Sequence, residues 1–248
     1  MMRALGAALL MAFANAWALP HAHAADSAKP GQSAYRISDG VVRIGVITDM
    51  SAVYKDLSGV GSVLAARMAI EDFGGSIAGF PIELLDADHH NEADQAGRIA
   101  RDWLERGKVD MVVDVPNSAA ALEVIKAAKA SGKIAIISTG GSARITNEEC
   151  TEFSVHWTYD TFALANVAAK AILKRGGSTW YFLTSDYAFG HTLEKDAIDV
   201  VGANGGSVLG VARHPFPSNN FASLSAGRRP ASGSGIERQG HCSCQRGH

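Results

Sequence analysis

VVRIGVIT, residues 41–48, is short, β-branched and almost wholly apolar. A strand with one wet face alternates apolar and polar residues, so this run suits a strand covered on both faces. A helix pattern comes next. In residues 62–73, Val63, Ala66, Ile70 and Phe73 fall on one helical face, ended by Gly74-Gly75. Residues 81–87 form the second predicted strand. Asn91 is placed to cap a helix in which Ala96, Ile99, Ala100, Trp103 and Leu104 recur at helical spacing up to Gly107.

The alternation continues down the chain. Residues 109–115 (VDMVVDV) read as a strand, and Ser118 as the cap of a helix carrying Ala121, Leu122, Ile125 and Ala128 up to Gly132. Residues 134–138 are a strand, followed by an irregular stretch. Leu164, Val167, Ala168, Ala171 and Ile172 then line a helix closed by Gly176-Gly177. Residues 179–184 (TWYFLT) and 207–213 are strands flanking a helix faced by Leu193, Ala197, Val200 and Val201. Units of this kind build an α/β fold, a parallel sheet flanked by helices.

Composition narrows the function classes. The 248 residues are 47% hydrophobic and 19% charged, which excludes a disordered chain and a multi-span membrane protein. Lys and Arg number 23 against 25 Asp and Glu, so no basic surplus exists to track a phosphate backbone and no nucleic-acid partner is expected. The 3 cysteines lack recurring pairs, and Cys150 reads as a lone thiol. Residues 1–24 open with Arg3 and an uncharged run to Leu19, broken by Pro20. Ala22-His23-Ala24 then supplies a small-x-small site, so a signal peptide cleaved after Ala24 is expected. Residues 25–40 read as a flexible lead-in.

Ligands of open parallel sheets sit beyond the carboxyl ends of the strands. Three loops there are suited to one. Loop 49–61 carries Tyr54, Pro116-Asn117-Ser118 sets a hydroxyl and free N–H groups at a helix start, and STGGS at 138–142 lets backbone approach closely. Together they can hold a carboxylate without Lys or Arg, although Ser118 and Ser142 are equally suited to be ordinary caps. Trp157, Tyr159 and Tyr187 suit either the wall of a small-ligand cleft or core packing. Gly59-x-Gly61 lies too far from its strand for a dinucleotide fingerprint, and no GxxxxGK[ST], GxSxG or HExxH occurs. Asp86, Asp88, His89 and His90 lack a second cluster and read as a solvated strand exit, not a metal site. Asp160 and Asp186 have no evident nucleophile or base beside them. No cofactor is called for.

IGVITDMS, ADHHN, VDVPNSAAAL, STGGS, HWTYDTFALAN and FLTSDYAFG, in this order over residues 42–221, resemble the periplasmic substrate-binding proteins of ABC transporters. The likeness is to the leucine/isoleucine/valine-binding branch, whose members also carry amides, urea-like solutes and aromatic acids. It implies a type I periplasmic-binding-protein fold, two lobes closing on a ligand and docking on an inner-membrane permease, with no catalysis and a monomeric receptor. By position Ser118 and Ser142 match residues that hold the ligand carboxylate and Gly140 gives backbone contact. Tyr54 matches a first-lobe aromatic, and Trp157, Tyr159 and Tyr187 face the ligand near the lobe boundary. The implied lobes are residues 41–155 and the start of a second at 156–224, with the crossing near 155–161. No acid to receive an amino acid's ammonium is found in the second-lobe sequence. A sensor ectodomain of the same fold and a secreted α/β hydrolase are the alternatives.

Residues 225–248 break the pattern, with four Arg, five Gly and two of the three Cys but no Lys. They are expected to be out of frame after a shift near Leu224. On that reading the second lobe is truncated, sheet edges are left open, the cleft is incomplete and the chain is expected to be a defective fragment.

Overall fold

The computed structural model describes residues 39–221, which lie in one compact unit. The expected signal peptide, most of the lead-in and the anomalous tail lie outside the described residues. Strand β1 (Val42–Thr48) is central to a six-stranded sheet of order β2-β3-β1-β4-β5-β6. It pairs in parallel with β3 (Phe80–Asp88) and with β4 (Met111–Asp114). Next come β5 (Ile134–Ile137) and β6 (Ser154–His156), both parallel. The chain thus leaves β1 for one side and returns on the other, placing a switch point between β1 and β4.

Side-chain alternation along β1 assigns the two faces. Ile47 enters the main core with Val112, Ala135 and Ile137, under helices α2 (Ala93–Arg101) and α3 (Ser118–Ser131). Gly45 shares that face, and a Cβ there would lie 2.6 Å from the Trp103 ring. Thr48 faces the other way, towards α1 (Gly59–Asp72). Helices therefore flank the sheet on both faces, as the parallel-sheet reading requires.

A second sheet holds only β7 (Thr179–Ser185) and β8 (Ser207–His214), paired in parallel. Helices α4 (Thr161–Lys174) and α5 (Ala188–Ala203) cover one face, enclosing Trp180, Phe182, Ala165, Ala169, Ala197, Val200 and Val201. Among the described residues no helix is long and apolar enough to cross a membrane.

Several local expectations are corrected. Helix α1 starts at Gly59, not residue 62, and Phe73 is exposed, because the backbone turns out of the helix beside Gly74. Asn91 does not cap α2; it adopts φ 60° and Glu92 takes the cap position. Asn117, not Ser118, caps α3. The buried face of α4 is Ala165 and Ala169, while Val167 is exposed: the helix is apolar nearly all round, and the small residues let it approach Trp180. Two short strands were not foreseen, β6 and β2 (Ser76–Ile77). The latter makes an antiparallel hairpin with β3 through Ala78 and Gly79, both at positive φ.

Candidate ligand-binding site

The loop after β1 is closed at both ends. The buried Asp49 carboxylate accepts from the N–H groups of Ser51 (3.3 Å), Ala52 (2.7 Å) and Tyr54 (2.8 Å). At the far end the Thr48 hydroxyl oxygen accepts from Gly59 N–H at 2.9 Å. Gly59 has φ +53°, and a Cβ there would stand 2.9 Å from the Asp49 carbonyl oxygen. Its backbone conformation and this close approach both favour glycine.

Capping decides what Ser118 does. Asn117 Oδ1 accepts from Ala119 N–H (2.8 Å) and Ala120 N–H (3.3 Å), which leaves the Ser118 hydroxyl available. That hydroxyl accepts from Ser142 N–H at 3.1 Å, across 24 residues of chain. Ser142 sits at the head of a single helical turn (Ala143–Ile145). Gly140 lies between the same loops: a Cβ would be 3.1 Å from the Val115 carbonyl oxygen and 3.2 Å from Ala121 Cβ. The structure therefore brings Ser118, Gly140 and Ser142 together at the carboxyl ends of β4 and β5.

The Ser142 donors are already committed. Thr192 on α5 donates to the Ala188 carbonyl (2.8 Å), so in its 2.8 Å contact with Ser142 the serine hydroxyl is the donor. Ala143 N–H donates to Thr161 Oγ1 at 3.0 Å. Thr192 thus takes the Ser142 O–H and Thr161 the N–H of the next residue, Ala143, and Ser118 and Ser142 are buried.

The aromatic residues converge only in part. Tyr54 and Tyr187 share a hydroxyl–hydroxyl hydrogen bond of 2.7 Å. Burial, reinforced by Tyr187, pushes the Tyr54 hydroxyl far above the ordinary tyrosine range, so it stays neutral. Phe216, absent from the sequence reading, stacks on Tyr187 with centroids 4.2 Å apart and planes at 12°. The Tyr159 ring packs over Gly141, 3.1 Å from where a Cβ would be. Trp157 is 73% exposed and is not drawn into the cluster.

The remaining polar candidates have structural partners or none. The solvated-exit reading of 86–90 fails at His89, which is fully buried with neither ring nitrogen hydrogen-bonded; His90 points out and meets Ser51 Oγ at 2.8 Å. Among the described residues no group of three or more side chains is arranged to hold a metal. Asp160 caps α4 through Ala163 N–H, and Asp186 pairs with His191 at 2.6 Å. Ser185 and His214 lie 3.2 Å apart, but both are buried and the other imidazole nitrogen faces the Pro215 carbonyl instead of a carboxylate. That pair anchors a loop. Cys150 is a free, exposed thiol.

Residues 41–226 match the sequence profile of the family described as periplasmic binding protein. The chain belongs to that family. A solved periplasmic binding protein from Burkholderia mallei is 49% identical with a TM-score of 0.73, over 75% of this chain and 50% of that one. A branched-chain amino acid ABC transporter periplasmic ligand-binding protein from Burkholderia xenovorans is 36% identical, with a TM-score of 0.62, over 74% and 49%. An ABC transporter solute-binding protein from R. palustris, in complex with 4-hydroxybenzoate, shares the fold at 21% identity and a TM-score of 0.67, over 75% and 50%. This periplasmic binding protein spans about half the length of the solved relatives it matches. No curated protein matches it.

Three residues that meet the candidate site of this periplasmic binding protein were not named from sequence: Thr161, Thr192 and Phe216. Phe216 had a readable signal, since HPFP directly follows a predicted strand at its carboxyl end, where ligands of such sheets gather. The threonines had none, because hydroxyls on helices are more often solvated or bonded within the helix.

Proposed function

We propose that the chain is an extracytoplasmic solute-binding receptor of an ABC importer. It takes a small carboxylate-bearing ligand, a branched-chain amino acid, a related amide or an aromatic acid, between lobes at 41–155 and 156–224. It is exported by the signal peptide at 1–24, acts as a monomer without cofactor or catalytic step, and delivers its ligand to a membrane permease. The observation that carries this reading is the meeting of Ser118, Gly140 and Ser142 at the switch-point side of the sheet, facing hydroxyls from the other sheet's helices. Family membership and the Burkholderia relatives support it.

The test is calorimetric titration with carboxylates and their uncharged amide analogues. Hydrogen bonds to a charged group contribute about 1.5–3 kcal/mol, so Ser142→Ala is expected to weaken carboxylate binding by roughly tenfold or more. Absence of any carboxylate binding, or equal binding by Ser142→Ala, would refute the clamp.

A further inference from the structure

Phe216 stands on the loop leaving the carboxyl end of β8, and three features fix it there. Prolines 215 and 217 flank it with φ set by their rings. His214, buried, ties the start of the loop through Ser185 Oγ (3.2 Å) and the Pro215 carbonyl (2.9 Å). On the other side of His214, Phe221 packs edge-on at 5.0 Å. The phenyl ring is therefore held by a built loop, and it meets two aromatic rings: Tyr187 at 4.2 Å and 12°, Tyr54 at 5.9 Å and 46°.

These rings come from three strand-end loops, after β1, β7 and β8, which belong to both sheets. They lead back to the serine loop, since Tyr187 lies 6.2 Å from Phe189, and Phe189 packs over Gly141 beside Tyr159. A succession of aromatic rings thus runs from the serine loop to Phe216. The acid acting on Tyr54 from its own loop is Asp49, whose oxygens are committed to Ser51, Ala52 and Tyr54 N–H groups. The Phe216 end of that succession therefore consists of flat rings and the neutral Tyr54–Tyr187 hydroxyl pair.

We infer that Phe216 is a specificity-determining residue of the cleft, selecting carboxylates with a flat aromatic tail over those with a saturated branched one. This rests on the carboxylate-receptor reading above and extends it to the other end of the ligand. Flat rings gain offset-stacked or edge-to-face contact on such a wall beyond the area they bury, whereas a branched aliphatic tail gains area alone.

Benzoate and 3-methylbutanoate test the assignment, because both present one carboxylate and no ammonium and differ only in the tail. Their dissociation constants are measured on the full chain, on Phe216→Leu, on Phe216→Tyr and on Ser142→Ala, with the Tm of each variant checking the fold. Phe216→Leu is expected to weaken benzoate by about tenfold and 3-methylbutanoate by no more than about twofold. Phe216→Tyr keeps the benzoate preference, and Ser142→Ala weakens both probes alike. If Phe216→Leu changes both probes equally or neither while Ser142→Ala still weakens both, the Phe216 assignment falls and the receptor reading stands. If the unsubstituted chain binds neither probe, the carboxylate reading fails and takes the Phe216 assignment with it.

Discussion

His89 has no exposed surface and no hydrogen-bond partner for either ring nitrogen. Burial depresses its pKa below the ordinary histidine value, and the nearby Asp49 and Asp88 carboxylates only partly oppose this. The neutral ring is thus the folded form, while the unfolded chain takes up a proton at about pH 6.5. Stability from this residue is fully present above that pH and is lost as the pH falls below it towards the depressed folded pKa. The expected result is a Tm that is flat above about pH 7 and declines as pH falls below about 6.5. His89→Gln flattens that decline in thermal melts. ADHHN in the sequence presented two adjacent histidines as equals. Backbone direction separates them, because His89 follows β3 onto the face of the main core and the positive φ of His90 turns it outward.

Among the elements, α3 shows how a cap and a ligand group are told apart. Asn117 caps the helix and also donates to Asn91 Oδ1 at 2.6 Å, linking the start of α3 to the turn before α2. Asn117→Ala is expected to cost about 1–2 kcal/mol, read as a lower urea midpoint at unchanged slope. The main strands and all five helices were legible because buried strands and amphipathic helices have different periods. α4 was legible as a helix but not in its facing, since apolar residues surround it and only contact with Trp180 selects Ala165 and Ala169. β2 escaped because Ala78-Gly79 is a weaker turn signal than Asn-Gly, and β6 because three residues are too few for a period. At the site, Ser118, Gly140 and Ser142 could be named from loop position. The bonds of Ser142 to Thr192 and of Ala143 to Thr161 depend on the packing of α4 and α5 against this loop, which no local pattern reports.

Across the whole molecule, the two sheets meet through Tyr54 and Tyr187 as well as through the serine loop. Removing either phenol leaves the other without this partner, so Tyr54→Phe and Tyr187→Phe each cost about 1 kcal/mol. The double variant is expected to cost less than the sum, a coupling that a double-mutant cycle in urea reads directly. The same molecule-wide view bears on the proposed clamp. The Ser142 donors are not bare; Thr192 Oγ1 already accepts from its hydroxyl and Ser118 Oγ from its N–H. On the proposed reading a carboxylate would enter by exchange, replacing one neutral acceptor with an ionised one. Hydrogen bonds to an ionised acceptor are roughly twice as strong as those to a neutral one, so the exchange favours the anion. An ester or primary amide would trade one neutral acceptor for another and gain little. Under that proposal Thr192 would act as a reference load, making the pocket a discriminator of charge built from side chains that carry none.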